Sequence, residues 1–186
     1  ELDTYQAYFE ASLVKALDRF EVRVGEPFPR PTTISCNSDG QFWAFARNSD
    51  SCLELDVSSG VLMRIVGVWD KALSLSADLP SEQRIVLLGH QDHATETSVQ
   101  WLLQHELNHL AIGYFDFIDG AGLSEGASPY GLGIVQRANA RPSPLNTMSA
   151  QDQAVLHQCF ELQTDHDAIE IVLGAYSSEN WLLFRY

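Results

Sequence analysis

Residues 105–109 of this 186-residue chain read His-Glu-Leu-Asn-His, and no other stretch limits its possible folds and chemistries as tightly. On an α-helix, side chains four apart stand one above the other, so His105 and His109 present two imidazoles to one point. That spacing suits a single metal ion, and Glu106, one residue on, is placed to take a proton from a water at the same point. Chance is a poor explanation. With six His and twelve Glu in 186 residues, about 0.01 random matches to H-E-x-x-H are expected. The flanks favour a helix: Val99, Leu102, Leu103, Leu107 and Leu110 recur at helical spacing, and Gly113 suits a C-terminal cap.

The length fits one domain spanning 1–186, large enough to bury a core without metal or disulfide support. A net charge of −14 argues against nucleic acid or an anionic membrane surface as partner. No run approaches the roughly 20 apolar residues that span a bilayer; the most apolar, 61–69, carries Arg64. The chain begins at Glu1, as a mature or trimmed form would, so a signal peptide would already be gone. Cys36 and Cys52 flank a predicted strand and could form one bridge, whereas Cys159 falls in a helical pattern and reads as a buried thiol. The lack of a dense disulfide framework leans towards the cytoplasm over a secreted or periplasmic location.

Taken in order, residues 3–20 form an amphipathic helix with Tyr5, Tyr8, Phe9, Leu13, Leu17 and Phe20 on its apolar face. Gly25, Pro27, Pro29 and Pro31 end it. Three β-prone runs follow at 32–36, 41–47 and 52–57, separated by turn residues, which predicts an antiparallel meander. Ser58 caps a second helix with Leu62, Ile65, Val66, Trp69, Ala72 and Leu73 inward. Residues 84–88 read as a buried strand, and a loop 89–93 carries His90 and His93 as surface histidines. Residues 114–147 lose periodicity and resemble a functional insertion. Ser149 starts a long helix to about Leu173, with Val155, Leu156, Cys159, Leu162, Ile169, Val172 and Leu173 as its apolar stripe, and 181–186 is an apolar tail.

A catalytic zinc site takes three protein ligands and keeps one position open. Glu161 lies on the long final helix with Asp165 one turn on, giving E-x-x-x-D. Glu161 would complete the shell, and Asp165, on the same face, would accept the outer ring N–H of a ligand histidine and fix its tautomer. About 0.3 such E-x-x-x-D matches are expected by chance after His109, so the pattern gains its weight from its place on a second long helix. Asp116 is the alternative third ligand: Gly113 and Asp116 form a Gly-x-x-Asp unit one place later than metal sites of that spacing require. Asp119 and Glu125 are lesser candidates. His157, one turn before Glu161, could also face the site, while His166 points about 100° away from Asp165.

On these residues the chain resembles a zincin metallopeptidase of the gluzincin type, with H-E-x-x-H on one helix and E-x-x-x-D on the next. The stretch 161–168 is similar to the E-x-x-A-D-x-x-A segment of several bacterial gluzincin families, with Thr164 in place of the usual Ala. The pairing of motifs also resembles that of the small phage-exclusion Lit-type peptidases. The resemblance covers about a third of the chain, from His105 to Leu173. It implies an α+β fold in which a small, mostly antiparallel twisted sheet packs on an active-site helix and a second long C-terminal helix. It implies a peptide or protein substrate and Zn2+ held by His105, His109 and Glu161. In such a site Glu106 would act as general base, and an oxyanion donor beyond the metal would be needed, for which His157 and Tyr130 are the candidates. Two rivals are a non-catalytic metal-binding or regulatory module, which would have no need of Glu106, and an interaction domain in which the motif is accidental. Oligomeric state has no signature in the sequence.

Overall fold

The computed structural model describes residues 2–49, 51–82, 89–111 and 147–174. Helix α1, Leu2–Val24, buries Phe9, Leu13, Ala16 and Phe20. It runs a turn beyond the predicted end, to Gly25, whose φ of 86° and N–H bond to Glu21 O close it. A left-handed residue at that position costs glycine nothing.

Three strands follow: β1 (Thr32–Asn37), β2 (Ala44–Asn48) and β3 (Leu53–Ser58). The class is α+β, as expected, but the sheet is mixed and not a meander. Its order is β1-β3-β2, with β1 parallel and β2 antiparallel to β3. The loop between β1 and β2 decides this. Asp39 accepts bonds from Gln41 N and Trp43 Nε1, and its carbonyl accepts from Gly60 N and Ser59 Oγ, which carries the chain across the end of β3. A Cβ on Gly60 would stand 2.2 Å from Gln41 O, so only glycine permits this crossing. Turn residues between short strands signal reversal without saying on which side the next strand pairs.

The register also separates the cysteines. Cys36 pairs with Val57, while Cys52 precedes Leu53, the partner of Thr32. They sit at opposite ends of the β1–β3 pair, about 16 Å apart along the strands, well beyond disulfide reach. Both are free thiols, and so is Cys159, which is exposed rather than buried.

Helix α2 (Ser59–Leu75) begins after Ser58, whose hydroxyl donates to Gln41 O instead of capping the helix. Leu62, Ile65, Trp69 and Leu73 are half-buried, but Val66 and Ala72 are exposed. A 3₁₀ turn, Ser76–Asp78, follows. The predicted strand at 84–88, the tail at 181–186 and nearly all of 114–147 lie outside the described residues.

Helix α3, Gln91–Ala111, starts inside the predicted loop, so His93 is on its exposed first turn. It is the centre of the fold and packs against α1, α2, β2 and the last helix. From 99 to 109 every residue but Trp101 is buried, polar and apolar alike. Burying a Leu contributes roughly 1.5–3 kcal/mol, and Leu102, Leu103 and Leu107 are all inside.

Helix α4, Ala150–Leu173, is capped by Ser149, whose Oγ accepts from Asp152 N. Its buried residues are Thr164, Ala168, Ile171 and Val172, whereas Val155, Cys159, Leu162 and Ile169 from the predicted stripe are exposed. The helix packs on α3 with Thr164 and Ala168 buried, and Glu161 and Asp165 lie against the histidines.

Candidate metal centre

One helix supplies two imidazoles and the other a carboxylate. His105 Nε2 and His109 Nε2 are 3.2 Å apart. Glu161 Oε2 lies 3.4 Å from His105 Nε2, and its Oε1 lies 3.9 Å from His109 Nε2. Among the described residues these form one group able to hold a metal, with donor atoms all within 4.8 Å of one another. Ligands about 2.0–2.2 Å from a tetrahedral zinc stand roughly 3.3–3.6 Å from each other, so the observed separations fit such an ion with little movement. Two nitrogens and one oxygen are also a donor set that zinc accepts.

The outer nitrogen of His105 is held as well. Nδ1 lies 2.8 Å from Asp165 Oδ1, so the ring donates Nδ1–H to the carboxylate and keeps its Nε2 lone pair directed at the centre. The Trp101 ring centroid lies 5.8 Å from that imidazole, tilted to it by 43°. Glu106 is fully buried beside the histidines, with the Ala46 N–H of β2 in reach of its carboxylate and no hydrogen bond on Oε1. Ala44 and Ala46 are small and inaccessible, which lets β2 lie close over α3.

Burial dominates the electrostatics of this cluster. It pushes Glu106 up to about 7, against a lowering pull from His105. It pushes His109 down to about 3, with help from the charge on His105. Burial also disfavours a charged His105, but Glu161, Glu106 and Asp165 outweigh it and raise its pKa. Glu161 is lowered because its bond to His105 and the nearby histidines overcome its own burial. The cluster thus sets two imidazoles among three carboxyl groups, those of Glu106, Glu161 and Asp165, a concentration of acidic groups that a divalent cation would offset.

Comparison of the chain with protein-family models, with curated proteins and with solved structures found no match in any of the three.

The structure brings together five residues singled out by the sequence: His105, Glu106, His109, Glu161 and Asp165. His157 is half-buried one turn before Glu161, which tempers a burial-driven lowering of its pKa. His166 and His90 are exposed. Asp116, Asp119, Glu125 and Tyr130 lie outside the described residues. Sequence reasoning missed Gln100 and Gln104, both inaccessible on α3, and the Ala46 N–H. Two glutamines one turn apart beside the motif were a readable signal; a backbone donor from β2 was not.

Proposed function

We propose that this chain is a zinc-dependent peptidase of the zincin type and gluzincin kind. The observation that carries the reading is the convergence of His105, His109 and Glu161 with Glu106 buried alongside. A zinc ion there would supply a Lewis acid and a bound water of lowered pKa. Glu106, with a pKa near 7, is suited to hold the proton that the attacking water gives up and to return it to the leaving amine. Asp165 orients His105, and His157, half-buried one turn before Glu161, would be the candidate donor to the carbonyl oxygen as it gains charge.

The sheet supports a peptide as the substrate class. Ser58 N bonds Trp43 O and Ser49 N bonds Cys52 O, so alternate residues of the β2 chain face β3. The backbone groups of Ala44 and Ala46 therefore turn to the other side, where the Ala46 N–H meets Glu106 and the remaining groups could receive an extended peptide as an added strand. The opposite edge is closed: Gln6 Nε2 donates to Ile34 O at 2.9 Å, and Cys36 N donates to Gln6 Oε1 at 2.7 Å.

The test pairs elemental analysis with hydrolysis of a quenched-fluorescence peptide library by wild type and Glu106→Gln. Both proteins should hold about one zinc per chain, and the variant should lose roughly 10²–10⁴-fold in rate. Undiminished hydrolysis by Glu106→Gln removes this mechanism, and the absence of zinc from the wild type after supply removes the reading.

A further inference from the structure

Gln100 and Gln104 stand one turn apart on α3, and neither reaches solvent. Gln100 Nε2 donates to Ser12 O at 2.8 Å and Gln104 Nε2 to Ala16 O at 2.5 Å, two carbonyls that are themselves one turn apart on α1. The Oε1 of each amide is buried without a hydrogen bond. An orphaned buried acceptor costs about 1–3 kcal/mol. As packing alone, two methionines of similar length would serve this interface better.

An amide pair offers direction, which apolar packing lacks. Both bonds form at one axial shift and one rotation of α3 on α1. A slip of a single residue moves the side chains 1.5 Å and turns them 100°, breaking both bonds at once. A hydrophobic contact is non-directional and tolerates such adjustment. A single buried polar residue sets register in coiled coils by the same logic. The demand for register here is high, because metal–ligand distances are tolerant only to about 0.2 Å. Gln104 directly precedes His105, and His105 is held from the other side by Asp165 of α4.

We infer that Gln100 and Gln104 are positioning residues for the centre: their bonds to α1 set the rotation and height of α3 at which His105 and His109 meet Glu161. The inference rests on the metal reading of that centre for its consequence, but not for its geometry.

Gln104→Met and Gln100→Met test it with three readouts. The metal-free variants should melt within a few degrees of the wild type, since an orphaned acceptor is removed along with each bond. Their zinc affinity, measured by competition with a chromogenic chelator, should fall roughly 10-fold or more, more steeply for Gln104→Met. In metal-free protein, the downfield proton resonance of His105 Nδ1 should shift or broaden as the bond to Asp165 is disturbed. Wild-type zinc affinity and an unchanged resonance in both variants overturn the inference, as does loss of the fold in both, which would make the glutamines simply structural. Should Gln104→Met alone fail to fold, Gln100→Met, one turn farther from His105, carries the same test. A wild type that takes up no zinc defeats the metal reading, while the resonance still decides the clamp.

Discussion

His105 Nδ1 lies 2.8 Å from Asp165 Oδ1, a carboxylate 60 residues further along the chain. That bond joins α3 to α4 and settles which nitrogen of His105 faces Glu161. Asp165 is partly exposed, with 41% of its side chain accessible, so its removal should cost little stability. We expect Asp165→Ala to fold normally and to bind zinc about 10–100-fold more weakly, as measured by chelator competition. Unaltered affinity would separate this contact from metal binding.

Glu161 is the carboxylate that α4 brings to the two histidines, and it would be the third ligand of a bound metal. At zinc concentrations near 100 times its dissociation constant, binding stabilises a protein by about 2.7 kcal/mol, which is about 5–10 °C in melting temperature for a chain of this size. The wild type should show that shift and lose it in chelator. Glu161→Ala should show none at the same zinc concentration. If the variant keeps the shift, the third ligand is another group, and Asp116 is the first to examine.

Glu106 makes the metal-free protein sensitive to pH in a definite direction. Its folded pKa of about 7 stands above the unfolded value of 4.5 because burial disfavours the carboxylate. Between these values the folded state binds more protons than the unfolded chain, so this group's contribution to stability falls as pH rises through the window. The cost is complete above about pH 7. Glu106→Gln removes it, so in chelator the variant should gain on the wild type by roughly 2–3 kcal/mol between pH 5 and pH 8. Denaturant titrations of both proteins at the two pH values measure it. Comparing the two cancels the opposing trend from His109, whose lowered pKa costs stability as pH falls below 6.5. A constant difference between the proteins would mean that Glu106 is not titrating in this range.

Gln6 gives a prediction outside the centre. Its side-chain amide bonds Ile34 O and Cys36 N as a residue of a parallel strand would, closing the β1 edge. Gln6→Ala should lose about 1–3 kcal/mol and expose an edge prone to pairing between chains. Sedimentation should then show concentration-dependent association beyond that of the wild type. An equally stable variant with wild-type sedimentation would show that the edge is protected by something else.

Much of the site was legible because its signals are local. His105 and His109, four apart, share a face of any helix they occupy, and Glu161 and Asp165 do likewise. Ser149 announced the start of α4 through a hydrogen bond that spans three residues. The failures involve choices between distant parts of the chain. The apolar residues of α4 lie along more than one face, and one of them, with Val155, Leu162 and Ile169, was left in solvent while Leu156, Phe160, Ala168, Ile171 and Val172 turn inward. The sides of α3 read as polar are buried, because α1 and α4 bring polar partners to them. Cys36 and Cys52 looked bridgeable only until parallel pairing sent them to opposite ends of a strand pair.

The sequence by itself determined which residues stand together on each helix, since the 3.6-residue period is a property of the backbone. Only the tertiary structure decided that α3 and α4 meet face to face at the rotation that closes His105, His109 and Glu161 into one group. That decision belongs to packing: the buried residues of α4 include the small Thr164 and Ala168, and the Nε2 groups of the buried amides on α3 meet their acceptors at one register against α1. Helical periodicity contains neither distance nor register between helices, so it could nominate the ligands but not assemble them.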